Sequence, residues 1–67
     1  MLGHNLKEAR ENKGYTQQDV ANIVGMNRVT YAKFEAGMQI PSLALLIPIA
    51  KLFDESLDNL LAEEMKQ

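Results

Sequence analysis

Apolar residues recur at helical spacing along most of the chain, and no segment alternates long enough to predict a strand. Residues 2–13 place Leu2, Leu6, Ala9, Arg10 and Lys13 on one helical face, and Gly14 follows where a C-terminal glycine belongs. Thr16 predicts the cap of a second helix over 17–24, with Asp19 three residues on to answer it. Val20, Ala21 and Val24 form the apolar stripe of that helix, Ile23 flanks it, and Gly25 stops it. Asn27 predicts the cap of a third helix over 28–36, with Tyr31 and Phe34 facing inward and Gly37 at its end. A fourth helix over 42–53, begun by Ser42, is apolar at Leu43, Leu45, Leu46, Ile47, Ile49, Ala50, Leu52 and Phe53. Pro48 lies inside it and marks a point for a kink, because proline removes one backbone hydrogen bond and clashes with the carbonyl four residues back. Ser56 predicts the cap of a last helix over 57–62 that carries Leu57, Leu60 and Leu61, and the polar tail from Glu63 is expected to fray. The pattern predicts one all-α domain over 1–67, a compact five-helix unit with a helix-turn-helix at 16–37.

Composition narrows the function. A hydrophobic content of 46% argues against disorder. The absence of cysteine rules out a disulfide scaffold, a thiolate nucleophile and a cysteine-ligated metal. The lone histidine, His4, builds no metal site by itself and is expected at the surface. Asp54, Glu55 and Asp58 lack the glycine and ligand order of a calcium loop and read as a solvated loop and helix start. No serine has a plausible histidine and carboxylate partner, so no enzyme is expected, and no cofactor or small-molecule ligand is implied. No apolar run approaches a bilayer span and the first residues lack a signal-peptide pattern, so no membrane partner is expected and the cytoplasm is the default compartment.

The net charge of −2 seems to oppose a nucleic-acid partner until its distribution is considered. Residues 1–41 carry five basic and four acidic side chains, whereas residues 42–67 carry two basic and five acidic. The acidity therefore sits in the last third, and the first two thirds can present a locally positive surface.

That surface lies in the stretch TQQDVANIVGMNRVTYAKFEAG, residues 16–37. Ala21 is small enough for two helices to approach closely, Gly25 supplies a permissive turn, and Met26 and Tyr31 can pack beneath it. The major groove admits one helix, with the first helix of such a pair resting on the backbone. The outward residues of the second helix are Arg28, Val29, Ala32 and Lys33. Arginine grips guanine O6 and N7, valine meets a thymine methyl, and lysine reaches guanine or phosphate, so Arg28, Val29 and Lys33 are the base-reading candidates. Without the surrounding pattern, Arg28 and Lys33 would read as ordinary solvated charges. Tyr31 and Phe34 read as core, not as stacking platforms.

The chain resembles the Cro/CI-type (XRE-like) helix-turn-helix repressors over about residues 4–61. The matching elements are LKEARENKGYTQQDVA, Gly25, NRVTYAKFEAG and PSLALL…IAKLF…SLDNLL. The resemblance implies that Gln17 binds DNA phosphate and supports the base-reading helix, with Thr16 adding a backbone contact. It places Arg28, Val29 and Lys33 at base-reading positions and Asn27 and Thr30 near phosphates or base edges. It implies a partly buried salt bridge between Arg10 and Glu35, a structural role. Two departures stand out. The loop after Gly37 reads Met38, Gln39, Ile40, Pro41 where the family often has basic or amide residues, so phosphate contact there falls to Gln39 and backbone N–H groups. Pro48 occupies a position that is usually polar and exposed.

One such domain reads few base pairs, and repressors of this kind bind two half-sites as dimers with recognition helices about 34 Å apart. The expected partners are therefore double-stranded DNA and a second copy of the chain. Candidate dimer residues are the late apolar ones, Phe53, Leu57, Leu60 and Met65, although Leu57, Leu60 and Leu61 also suit the monomer core. The favoured reading is a repressor on a palindromic operator. The alternative is a protein-interaction module on the same fold, such as an antitoxin or an anti-repressor partner, which the acidic last third favours slightly.

Overall fold

A computed structural model describes residues 2–63, which form five helices and no strand: α1 Leu2–Asn12, α2 Gln17–Val24, α3 Arg28–Ala36, α4 Leu43–Phe53 and α5 Leu57–Leu61. Each of α1, α4 and α5 is one residue shorter than its expected span. The helices pack in a closed circuit: α1 on α3, α3 on α2, α2 on α4, α4 on α5, and α5 back on α1. The Cα radius of gyration is 10.4 Å. No described helix is long and apolar enough to cross a membrane.

Inside the circuit lie Leu6, Ala9, Val20, Tyr31, Phe34, Leu46, Ile49, Ala50, Phe53 and Leu60. Tyr31 meets Phe34 edge-on at 6.2 Å, and Tyr15 covers Phe53 at 6.5 Å. Two of the candidate dimer residues are thereby reassigned. Phe53 is 1% exposed and Leu60 0%, so neither presents a surface to a second copy. Leu57 is half-buried against the same core, and Met65 lies outside the described residues.

α4 runs unbroken through Pro48. Pro48 and Ala44 are both exposed, so the carbonyl that loses its donor lies on the solvent side, where water can satisfy it. Ser42 stands at the cap position but its side chain makes no capping bond, whereas the Ser56 hydroxyl accepts from Asn59 N–H at 3.0 Å. Asp54 ends α4 in the left-handed region at φ 56°, which aspartate tolerates better than most residues.

Two positions in α1 set how closely the helices approach. A Cβ on Gly3 would lie 2.5 Å from the Glu35 carbonyl oxygen and 2.9 Å from that of Phe34. The first turn of α1 thus rests on backbone at the end of α3. Asn5 is fully buried and donates through Nδ2 to the carbonyls of Leu60 at 2.8 Å and Ala62 at 2.7 Å. It ties α1 to the last turn of the short α5, whose final carbonyls have no partner within their own helix.

The third tie is ionic. Arg10 Nε donates to Glu35 Oε2 at 2.7 Å and Nη2 to Oε1 at 3.1 Å, while Nη1 donates to the Tyr15 carbonyl at 2.8 Å. The two side chains are 11% and 4% exposed. This is the bridge the resemblance implied. Burial pushes the Glu35 carboxyl up, but Arg10, Tyr31 and Gln17 outweigh it and hold the carboxyl below its ordinary value. The Tyr31 hydroxyl faces this pair without completing a hydrogen bond of standard geometry, and burial beside the carboxylate pushes its phenol up.

Gly3→Ala tests the close approach. Helix propensity alone favours alanine by up to about 1 kcal/mol. The backbone clash reverses the sign, with a net loss of about 1–3 kcal/mol, read as a melting temperature lower by several degrees. A raised melting temperature would show that α1 does not rest on α3. Arg10→Met tests the ion pair through pH. In the wild-type chain the depressed Glu35 carboxyl contributes stability above its unfolded value, and this is lost as pH falls below about 4.5. Without Arg10 the buried carboxyl is raised instead, so Arg10→Met is expected to gain stability as pH falls from 7 towards 5. Urea unfolding across that range checks the inversion, and Arg10→Met with Glu35→Leu should remove it.

Candidate nucleic-acid interface

The pair α2–α3 is assembled by local hydrogen bonds before any long-range packing is needed. The Thr16 hydroxyl accepts from Asp19 N–H at 3.0 Å and Thr16 N–H donates to Asp19 Oδ2 at 2.9 Å, a reciprocal cap. These bonds also hold the Asp19 carboxyl below its ordinary value. α2 ends at Gly25 with φ 83°, a left-handed conformation that glycine adopts without the strain a β-carbon would bring. Gly25 and Met26 N–H both donate to the Ala21 carbonyl, at 2.9 and 2.8 Å. Ala21 is fully buried, so its small side chain lets α2 settle against α3. Asn27 then starts α3, its Oδ1 accepting from Val29 N–H at 2.7 Å.

On the outward side of α3, Arg28, Val29, Ala32, Lys33, Ala36 and Met38 line one open depression. Arg28, Val29 and Lys33, the base-reading candidates, are therefore brought together. All three are exposed, and among the described residues neither cation is in a salt bridge. Tyr31 and Phe34 are buried on the opposite side. A helix with two free cations flanking a strip of small apolar side chains has the chemistry of base edges and thymine methyls.

The phosphate candidates are placed less uniformly. Gln17 is half-buried at the start of α2, and its Nε2 donates to Glu35 Oε1 at 3.0 Å. One amide hydrogen is thus held by the buried ion pair, and the other remains for an outside acceptor. Thr16 is exposed, but its backbone N–H is spent on Asp19, which leaves its hydroxyl hydrogen as the available donor. Asn27 uses only its oxygen in the cap, leaving the NH2 end free to point outward. Thr30 is half-buried on α3, and Gln39 is exposed in the loop after Gly37.

Met38, an uncharged loop residue, lines the same depression because the end of α3 folds back. Gly37 N–H donates to Phe34 O and Met38 N–H to Lys33 O, at 3.3 and 3.0 Å. This paired reversal is the common glycine-ended helix stop, and it returns the second residue after the helix to the last turn. The glycine at 37 was the available signal. His4 lies on the far surface beside Glu8 at 3.2 Å. No group of three His, Cys, Asp or Glu side chains among the described residues is placed to hold a metal ion.

A helix-turn-helix family model matches residues 6–60. The uncharacterized HTH-type transcriptional regulator YqaE of Bacillus subtilis (strain 168) is 39% identical over 67 residues, all of this chain and 58% of the relative. The SPbeta prophage-derived regulator YonR of the same organism is 39% identical over 61 residues, 91% of this chain and 56% of the relative. The HTH-type transcriptional regulator AnsR, also from that organism, is 39% identical over 62 residues, 92% of this chain and 53% of the relative. The chain thus spans somewhat more than half the length of these relatives. No solved structure gives a significant match. With the fold, the capped α2–α3 pair and the matched span in agreement, the chain belongs to the helix-turn-helix family of the Cro/CI (XRE-like) type.

Proposed function

We propose that this chain is a sequence-specific transcriptional repressor that binds double-stranded DNA as a dimer on a palindromic operator, with α3 in the major groove. The observation that carries this reading is the grouping of unpaired Arg28 and Lys33 around Val29 and Ala32 on the outward face of α3. Arg28 and Lys33 read guanine edges and Val29 meets a methyl. Gln17 grips a phosphate beside the groove while Glu35 holds its other amide hydrogen, so the backbone contact is oriented from the core. Thr16, Asn27, Thr30 and Gln39 add neutral hydrogen bonds to the backbone or base edges. Neutral donors suit an acidic chain, because they position the helix without adding non-specific attraction.

The size of the domain is compatible with a dimer. Two half-sites on one face of the duplex are about 34 Å apart, and the domain measures 27 × 23 × 19 Å. Two copies therefore fit side by side. With Phe53 and Leu60 in the core, the exposed apolar residues on the late helices are Leu43 and Ile47 of α4 and Leu61 of α5. A dimer seated on a promoter in the cytoplasm blocks polymerase, which makes repression the direct outcome.

Selection of bound duplexes from a random library tests the reading. The enriched sequences should contain inverted half-sites about 10 base pairs apart. Affinity should fall with salt, with a shallow slope because most of the backbone contacts are neutral. Arg28→Ala should cost about 1–3 kcal/mol on the enriched duplex and little on random DNA. Gln17→Ala should weaken both alike, with circular dichroism confirming the fold. Binding that ignores salt and Arg28 would instead point to a protein partner for this face.

A further inference from the structure

The loop after Gly37 departs from the resemblance by opening on an apolar residue, and that residue lies on the outward side of α3. Met38 is 75% exposed, shares the depression with Val29 and Ala32, and has Arg28 and Lys33 at its rim. A reversal of this type usually lays its apolar residue flat on the last helical turn. At that exposure Met38 contributes little to such a contact and remains available to something outside the chain. The side chain is unbranched and polarizable, so it adapts to the shape it meets.

We propose that Met38, with Val29 and Ala32, forms a contact for the C5-methyl of thymine, and that the operator carries a thymine beside the guanine read by Arg28 or Lys33. The inference rests on α3 being the base-reading helix. Its occupant is set by chemistry. The apolar group that the major groove presents to such a patch is the thymine methyl, and Arg28 and Lys33 in the same depression suit an anionic duplex. Met38 is then a specificity residue drawn from outside the helix, in a loop whose expected work is non-specific.

Single replacement of each dT in the selected duplex by dU removes the methyl and nothing else. At one position in each half-site this should weaken the wild-type chain about three- to fivefold, the worth of one buried methyl. In Met38→Ala the same ratio should shrink to below about twofold, with the melting temperature unchanged. Arg28→Ala should keep the wild-type dT-to-dU ratio while losing affinity overall. Equal ratios in the wild-type chain and Met38→Ala, or no dU-sensitive position, overturn the proposal and leave base reading by Arg28 standing. A library that yields no enriched sequence overturns both.

Discussion

A guanidinium taken out of water needs acceptors for its donors, and Arg10 finds them on three sides of one small space. Two are the oxygens of Glu35 on α3, and the third is the Tyr15 carbonyl at the entrance to α2. Glu35 in turn accepts from Gln17 on α2. One buried carboxylate therefore fixes α1, α2 and α3 relative to each other. Apolar burial is non-directional and would accept several rotations of α3. A bidentate pair accepts one, because both oxygens must meet a planar fork. The net worth of such a pair in stability is small or even negative against an apolar replacement. Its value here lies in orientation, since it holds one face of α3 outward and the Tyr31–Phe34 face inward.

The same end of α3 is held from a second direction. The first turn of α1 lies on the Phe34 and Glu35 carbonyls, at a distance only Gly3 permits. The paired reversal at Gly37 and Met38 occupies the Phe34 and Lys33 carbonyls. The backbone carbonyls of the last turn of α3 are thus engaged, while its first turn, with Arg28 and Val29, stands open to solvent. That asymmetry suits a helix that enters a groove by its first turns and is carried by its last.

Periodicity and punctuation made most of the fold legible. Thr16, Asn27 and Gly25 announced the motif through chemistry confined to a few neighbouring residues, and those bonds formed as local rules require. Arg28, Val29 and Lys33 share a face for the same reason, since helical spacing alone groups them. What the sequence hid depends on contacts distant along the chain. Asn5 looks like a surface amide until α5 returns and offers it two carbonyls. Gly3 looks like a weak first turn until α3 lies beneath it. Phe53 and Leu60 look surplus to a short chain, but the circuit of five helices needs both to fill its centre. Pro48 looks like a fault, and the outcome turned on which side its orphaned carbonyl faced.

Frame and reading surface are separable in this architecture. The side chains that orient α3 are those of Arg10 and Glu35, with Gly3 at the close approach, and none of these three residues lines the outward depression. Val29, Lys33 and Met38 join the frame only through backbone groups, Val29 N–H at the Asn27 cap and Met38 N–H on the Lys33 carbonyl. Replacing Arg28, Val29, Lys33 or Met38 therefore alters what the groove meets without loosening what holds the helix. Gln17 is the exception, bonded to the frame at one hydrogen and open at the other. On the proposed reading it is the point where the orientation fixed in the core would pass to the DNA backbone, one amide hydrogen serving Glu35 and the other a phosphate.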